Sequence, residues 1–220
     1  MSSSVGAYHS DITFLGRRTG RAGGGKSGRS RDAPPVSVRK VNVPELLTAR
    51  LRLRPLRAGD EEPLYELLSD PEAARFLPFP VTRELVAQHV DELLTADYPE
   101  GMGSYAWEDR ETGEFAGHGD LAPSKELGDG RPEVGWYLMP SYQGRGLATE
   151  ALDAVLGHAF GTLRVPEVVA LVHEENVRSR RVAERLGFAE AGRGLHYGGP
   201  HIVYVRGAAG AVRGTAPGAA

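Results

Sequence analysis

The centre of the chain constrains the fold most, because it contains a strand, a glycine-rich turn, a long helix and a buried strand in succession. The apolar segment Glu133–Met139 is followed by Pro140, and the segment Gln143–Ala148 then contains two glycines. From Gly146 to Leu163, apolar residues recur at the period of a helix with one buried face. The segment Glu167–Val172 is almost continuously apolar, which is typical of a strand covered on both faces. This succession predicts a β-α-β unit at the centre of the fold.

Shorter patterns on both sides of this unit predict further strands and helices. The further predicted strands are Arg50–Leu56, Ser104–Glu108, Glu114–Leu121, Phe188–Gly192 and His201–Arg206. Asp60, Thr82 and Asn176 are predicted to cap three further helices. These helices run to Leu68, where Pro71 ends the segment, through Leu94, and to Leu186, before Gly187. This order predicts an α/β (α+β) fold, in which a central mixed sheet carries helices on both faces.

Glycine and proline, at 29 and 15 residues, exceed the usual share of a globular chain, and the excess gathers at the two ends. Residues 1–45 hold eight Lys or Arg against three acids, a net charge of +5. Because the whole chain has a formal charge of −3, the remaining residues carry −8. We predict a disordered basic Gly/Ser/Arg-rich arm over residues 1–45, one folded domain over 46–206, and a disordered Gly/Ala-rich tail over 207–220.

Composition also excludes several classes of function. The chain has no cysteine, which removes thiol nucleophiles, disulfides and thiolate zinc sites. No apolar run reaches the roughly 18 residues of a membrane-spanning helix, so we expect a cytoplasmic protein without a membrane partner. In the basic arm no aromatic residues alternate with the charges, and no groove-reading fold follows it, so we expect no nucleic-acid partner.

One glycine-rich segment of the arm matches the sequence pattern of a nucleotide-binding loop, but its flanking residues do not match the structure that such a loop needs. Residues Gly20–Ser27 fit the pattern G-x-x-x-x-G-K-S. A working loop of this kind needs a hydrophobic strand before it and a helix that begins at the Lys-Ser pair. The preceding Arg17–Thr19 and the following Gly28–Pro35 supply neither element. We therefore expect no nucleotide hydrolysis by this segment.

The second glycine-rich loop, Gln143–Ala148, lies between a predicted strand and the long predicted helix. Backbone N–H groups converge on anions at such junctions, because the first N–H groups of a helix have no partner within it. Gly144 and Gly146 allow positive φ angles and a close approach of a phosphate to the backbone. An ordinary strand-to-helix turn also uses glycine, so the loop alone leaves both interpretations open.

The residues around this loop resemble a known family. The string Gln143-Gly-Arg-Gly146-Leu-Ala148, within Glu133–Ala151, resembles the acetyl-CoA-binding core of the GNAT superfamily of N-acyltransferases, whose signature is Q/R-x-x-G-x-G/A. The segment Asn176–Phe188 resembles the second half of the family, N-x-x-S-x-x-V-x-E-K-L-G-F. Further upstream, Arg50–Leu56 and Leu67–Glu72 resemble the start of the branch that acetylates ribosomal-protein N-termini. Three separated motifs in one order make the resemblance specific.

The resemblance implies a GNAT fold with a twisted, mostly antiparallel sheet of six to seven strands. It also implies acetyl-CoA as co-substrate, no metal, and direct attack of an amine on the thioester without a covalent enzyme intermediate. The pantetheine arm is expected between the Glu133–Met139 and Glu167–Val172 strands, and the pyrophosphate on the loop at the helix N-terminus. The implied cofactor contacts are Tyr137, Leu138, Met139, Gln143, Gly144, Arg145, Gly146, Leu147, Ala148, Thr149 and Asn176.

The same resemblance suggests the catalytic residues. Glu133 matches the position at which many members place a glutamate as general base, ten residues before the loop; a solvated or structural carboxylate is the alternative. His118 and Asp120 on the neighbouring strand are rival bases. The tyrosine that often protonates the leaving thiolate is replaced here by Ala183, and Ser179 is the expected substitute.

The acceptor amine is the least constrained part of the prediction. The resemblance favours a protein N-terminal α-amine, but the same branch includes enzymes for small amines of antibiotic or polyamine type. The charge of −8 on the residues after the basic arm favours a cationic acceptor, although net charge steers association rather than naming a substrate. A catalytically silent module that binds acyl-CoA and a homodimeric assembly both stay open.

Overall fold

A computed structural model describes residues 43–77 and 80–208 of the protein. Most of the basic arm, with the Gly20–Ser27 match, and the tail from residue 209 lie outside the described residues. The strands are β1 (Leu46–Leu47), β2 (Leu51–Pro55), β3 (Gly103–Asp109), β4 (Phe115–Pro123), β5 (Pro132–Leu138), β6 (Glu167–His173), β7 (Ala189–His196) and β8 (Gly199–Gly207). The helices are α1 (Glu61–Ser69), α2 (Pro71–Ala74), α3 (Arg83–Thr95), α4 (Leu147–Gly157) and α5 (Val177–Arg185).

The strands form one sheet in the order β1-β2-β3-β4-β5-β6-β8-β7. Within it β5 and β6 run parallel, and every other neighbouring pair is antiparallel. The predicted mixed, mostly antiparallel sheet is thereby confirmed. It has eight strands because the two-residue β1 joins one edge, and two residues are too few to give an alternating pattern in the sequence.

Helices cover both faces of this sheet, as the sequence predicts. On one face α4 and α5 bury a cluster that includes Val134, Trp136, Leu138, Leu147, Leu152, Val155 and Ala183. On the other face α1 and α3 bury Leu64, Leu67, Val86, Val90, Ala106 and Tyr137. Since neighbouring residues of a strand point to opposite faces, the two clusters divide β5 residue by residue. Val43, just before β1, already packs into the first cluster at 5% exposure.

Local capping chemistry sets most helix starts. The predicted caps Thr82 and Asn176 accept hydrogen bonds from the N–H groups of Leu85 at 3.3 Å and Ser179 at 3.1 Å. Asp60 precedes α1 as predicted but does not cap it, because its carboxylate is held by the guanidinium of Arg54 at 2.6 and 2.7 Å.

Two predicted helix ends lie elsewhere in the structure. Pro71 does not simply end a helix: it begins the short α2, whose first N–H groups bond to Asp70. The long helix predicted to Leu163 is α-helical only to Gly157, and His158–Thr162 form a π-helical turn. Gly157 and Gly161 give this segment a weak preference for the α-helix, which lowers the free-energy cost of changing to the π-helical turn.

The parallel pair β5 and β6 creates the feature on which the functional site depends. Their ladder consists of one pair, Glu133 opposite Val169. In contrast, β5 pairs with β4 from Pro132 to Leu138, and β6 pairs with β8 over its whole length. The two parallel strands therefore separate beyond Glu133 and leave a gap that opens toward the carboxyl end of β5.

Candidate functional site

The glycine-rich loop follows β5 at the open end of this gap. The N–H of Met139 still pairs with the carbonyl of Ala116 at 3.0 Å, and Pro140–Tyr142 then form one 3₁₀ turn. Gly144 and Gly146 have φ angles of 73° and 78°, a region that other side chains rarely adopt. The loop thus turns sharply into α4 and presents the unpaired first N–H groups of that helix.

Side chains from the loop itself and from the segment before β2 hold the loop in place. The amide Nε2 of Gln143 donates to the carbonyl of Leu138 at 2.9 Å, which ties the loop back to β5. Arg50 Nη1 donates to the carbonyl of Arg145 at 2.9 Å, and Arg50 Nε donates to Glu150 Oε2 at 2.7 Å. Thr48 Oγ1 donates to Glu150 Oε1 at 2.6 Å. Because these contacts fix the loop before any ligand binds, its backbone donors are preorganised.

The loop forms one wall of a pocket of about 240 Å³. Of the predicted cofactor residues, the pocket is lined by Leu138, Gly144, Gly146, Leu147, Ala148 and Thr149. Tyr137, Met139, Gln143, Arg145 and Asn176 do not line it. Tyr137 is buried on the α1–α3 face of the sheet, and Arg145 lies over the ring of Tyr142 at 5.3 Å. The pocket is therefore lined mainly by the second half of the predicted loop and the start of α4. The other predicted residues support the loop or lie next to it.

The opposite wall consists of residues that the sequence analysis missed. It is formed by α5 through Arg178, Arg181, Val182 and Arg185. The three arginines follow the spacing i, i+3 and i+7, so they share one face of the helix. That spacing is visible in the sequence, but only the packing of α5 against the start of α4 shows that it faces the loop. Backbone donors on one wall and guanidinium groups on the other make the pocket suited to a phosphate-bearing ligand.

Glu133, the predicted base, is buried in β5 at 5% exposure. Ser124 Oγ donates to its Oε2 at 2.6 Å, and the Tyr197 hydroxyl donates to its Oε1 at 2.9 Å. Burial raises the pKa of Glu133 to about 8, although the hydrogen bond from Ser124 acts in the opposite direction and the nearby Asp120 raises it further. The carboxyl group is therefore oriented from two sides and titrates close to neutral pH.

Tyr197 is a functional neighbour that sequence reasoning missed. It occupies the turn between β7 and β8 with a φ angle of 50°, next to Gly198 at 77°. Two positive φ angles in a two-residue hairpin turn are typical of type I′. Its N–H donates to Glu126 Oε2 at 3.0 Å, so both ends of the residue are fixed. The Tyr-Gly pair predicts a turn in the sequence, but not a contact with a carboxylate 64 positions earlier.

The rival bases lie on the same side of the sheet as Glu133. Asp120 is opposite Gly135 and His118 is opposite Tyr137, and directly opposed residues of antiparallel strands share a face. Burial raises the pKa of Asp120 to about 7, against the effect of the Gly135 N–H, and its Oδ1 is buried with no hydrogen-bond partner among the described residues. Burial lowers the pKa of His118 to about 4.

The predicted leaving-group acid is on α5. Ser179 is fully buried in the first turn of the helix, where its N–H bonds to the capping Asn176. Ala183, at the position of the missing tyrosine, is also fully buried and belongs to the core on the α4–α5 side. A tyrosine ring at residue 183 would therefore require the core to rearrange.

Comparison with known proteins identifies the family. The sequence profile of the acetyltransferase (GNAT) domain matches residues 50–189. The chain belongs to the GNAT family. It is thus an acetyl-CoA-dependent acyltransferase with a GNAT fold, and the expectation drawn from its motifs is confirmed.

Individual relatives of this GNAT protein are named as enzymes of acetyl transfer. The N-acetyltransferase YnaD of Bacillus subtilis is 28% identical over 147 residues, covering 67% of this chain and 84% of the relative. The FsC-acetyl coenzyme A-N(2)-transacetylase of Aspergillus fumigatus is 32% identical over 153 residues, covering 66% of this chain and 64% of the relative. The crystal structure of an Agrobacterium tumefaciens acetyltransferase superposes with a TM-score of 0.63 at 27% identity, covering 81% of this chain and 99% of that one.

Among residues 43–77 and 80–208, no helix is long and apolar enough to cross a bilayer. The same part of the chain contains no group of three or more His, Asp or Glu side chains that could hold a metal ion.

The buried carboxyl groups predict how the stability of the GNAT protein depends on pH. Glu133 and Asp120 have raised pKa values in the folded state, so their contribution to stability is lost as the pH rises through those values. The buried His89 and His118 have lowered pKa values, so they destabilise the fold only when the pH falls below about 6.5. Above about pH 7 an unperturbed histidine is mostly neutral, so the two carboxyl groups outweigh these histidines in setting the slope.

We therefore expect the free energy of unfolding to decrease between pH 7 and 8, as measured by urea denaturation. Glu133→Gln and Asp120→Asn, which keep the shape of each side chain, should each flatten the decrease. A slope that is identical in the wild type and in both variants would show that neither carboxyl group titrates in this range.

Proposed function

We propose that the protein transfers an acetyl group from acetyl-CoA directly to a primary amine, with the pyrophosphate of the co-substrate held by the glycine loop and the start of α4. The observation that carries this proposal is the pocket at the open end of the gap between β5 and β6, where preorganised backbone donors face three arginines. A narrow gap with an anion site at its mouth suits a long ligand that has phosphates at one end and a thioester at the other.

The chain's own groups fit each part of such a ligand. The N–H groups at the start of α4 and the glycine loop would hold the pyrophosphate, as helix N-termini commonly do. The edge of β5 that faces the gap would hold the pantetheine amides along Tyr137–Met139. Acetyl-CoA supplies an activated acyl group when it is bound. Residues around Gly135 then lie at the middle of the sheet, where the reaction would take place.

The acceptor must lose a proton before it attacks, because an ammonium group is not a nucleophile. We assign this proton to a carboxylate oxygen of Glu133, whose raised pKa matches a general base that works near neutral pH. Ser124 and Tyr197 hold that carboxyl group in one orientation. The Ser179 hydroxyl is assigned to the leaving thiolate, because no tyrosine occupies residue 183.

For the acceptor we favour a protein N-terminal α-amine, with a small-molecule amine as the second candidate. The branch resemblance supports the first, and the name of the Aspergillus fumigatus relative, which specifies transfer to N(2), supports a nitrogen acceptor in either case. Asp120 and Glu133 lie on one face of the sheet beside the gap, which favours a positively charged group in either case.

Turnover of acetyl-CoA tests this proposal. Free thiol release would be measured with a panel of N-terminal peptides, polyamines and aminoglycosides, and the product mass would locate the added acetyl group. We expect one class to exceed the others by at least about tenfold in kcat/KM. Binding of acetyl-CoA without turnover on any acceptor would instead support a silent acyl-CoA-binding module.

A further inference from the structure

The arginine wall of the pocket carries positive charge that no neighbouring carboxylate neutralises through a hydrogen bond or an ion pair among the described residues. Arg178, Arg181 and Arg185 lie on one face of α5 and span about 10 Å along its axis. Among the described residues, no carboxylate hydrogen-bonds or ion-pairs with any of the three. Arg180 on the same helix is different, because its guanidinium donates to the Tyr204 hydroxyl at 3.4 Å and to the carbonyl of Glu174 at 3.3 Å.

Arg178 shows the imbalance most clearly. It is only partly exposed, and its Nη1 is buried without a hydrogen-bond partner among the described residues. Burial lowers the pKa of Arg178, the adjacent Arg181 lowers it further, and Glu72 partly offsets both effects. A buried guanidinium nitrogen that lacks an acceptor is uncommon, and a bound ligand is one way in which the missing acceptor is supplied.

The length of the arginine row exceeds what a single pyrophosphate can occupy. Backbone donors of the loop and the start of α4 already serve that group in the function proposed above. Coenzyme A carries one further anionic group, the 3′-phosphate of its ribose, and a phosphate monoester is close to dianionic at pH 7. Guanidinium groups bind such an ester through paired hydrogen bonds and retain their charge at all physiological pH values.

We propose that Arg178, Arg181 and Arg185 form a subsite for the 3′-phosphate of coenzyme A, so that the protein distinguishes coenzyme A from 3′-dephospho-coenzyme A. This inference rests on the proposed binding of acetyl-CoA in the pocket. It adds a specificity determinant that belongs to α5 rather than to the glycine loop. The arginine row then binds the 3′-phosphate at the nucleotide end of the ligand, while the loop binds the pyrophosphate at its centre.

Isothermal titration calorimetry with the two ligands tests the subsite without relying on turnover. We expect the wild-type protein to bind coenzyme A at least about tenfold more tightly than 3′-dephospho-coenzyme A. Arg181→Ala and Arg185→Ala, both at exposed positions, should reduce this preference to about threefold or less and leave the affinity for the dephospho ligand nearly unchanged. Arg180→Ala is the matched control on the same helix and should preserve the preference.

The outcomes separate this inference from the proposed function. Equal affinity of the wild type for the two ligands would overturn the subsite and leave acetyl-CoA binding intact. Arg181→Ala and Arg185→Ala variants that lose affinity for both ligands equally would assign the arginines to the pyrophosphate, which also overturns it. If neither ligand binds the wild type, the proposed function itself fails.

Discussion

The Gly146→Asp variant is expected to lose the thermal stabilisation that acetyl-CoA gives the wild-type protein. The dissociation constant of the variant for acetyl-CoA should rise at least about a hundredfold, which corresponds to about 2.8 kcal/mol of binding free energy. Gly146 immediately precedes α4 and lines the pocket, so a carboxylate there would face the position proposed for the pyrophosphate. Because stabilisation by a ligand grows with the ratio of its free concentration to its dissociation constant, a hundredfold loss of affinity removes the shift in melting temperature at ligand concentrations near the wild-type dissociation constant.

A matched variant isolates the charge from the backbone effect. A Cβ added at Gly146 meets only Arg50 Nη2, at 3.9 Å, so the position has room for a side chain. The φ angle of 78° strains Asn and Asp to a similar degree, and both tolerate this region better than most residues. Gly146→Asn should therefore keep most of the binding. Calorimetry that finds equal affinity in the Asp and Asn variants would place the phosphates elsewhere.

Glu133→Gln is expected to lower kcat by about a hundredfold, a loss typical of a general base, while the affinity for acetyl-CoA stays within a few-fold. Glutamine can accept a hydrogen bond from one of the Ser124 and Tyr197 hydroxyls at its Oε1 and donate from its Nε2 to the other, but it cannot take a proton. A base with a pKa of about 8 is active only when it is ionised, so wild-type activity should increase with pH up to about 8. The variant should lose the part of this increase that comes from Glu133.

Controls at neighbouring residues make this test specific. The acceptor amine titrates near the same pH, so wild type and variant are compared on one acceptor, and only the difference between their pH profiles reports Glu133. Tyr197→Phe removes one hydrogen bond to Glu133. This variant should reduce the increase of activity with pH by less than Glu133→Gln does. If Glu133→Gln keeps most activity and Asp120→Asn loses it, the proton goes to Asp120 and our assignment is wrong.

The fold was largely predictable because its elements depend on local patterns. Apolar periodicity marks α3 and α4, and side-chain caps mark the starts of α3 and α5. The exceptions involve partners that are distant in sequence. Asp60 occupies a capping position, but Arg54 binds its carboxylate. His158 begins the π-helical turn and contacts the carbonyl of Gly101 at 2.9 Å, a contact that no helical pattern predicts.

The candidate site was predictable only in part, for a similar reason. The loop is contiguous in sequence, so its glycines and the helix that follows give a local signal. The arginine wall and the Tyr197 contact with Glu133 depend on how α5 and the β7–β8 hairpin pack against distant strands. Sequence reasoning found Glu133, but it could not identify the two hydroxyl groups that orient it.

The contact of Arg50 with the loop makes the beginning of the domain part of the proposed pyrophosphate site. Glu150 lies in the first turn of α4, where its negative charge suits the helix but opposes a phosphate. Arg50 and Thr48 bind that carboxylate and so shield it. A fragment that started after residue 50 would retain every glycine of the loop and still expose an acid to the phosphates. For protein engineering, the functional boundary of the domain therefore lies before Thr48, although the glycine motif begins almost a hundred residues later.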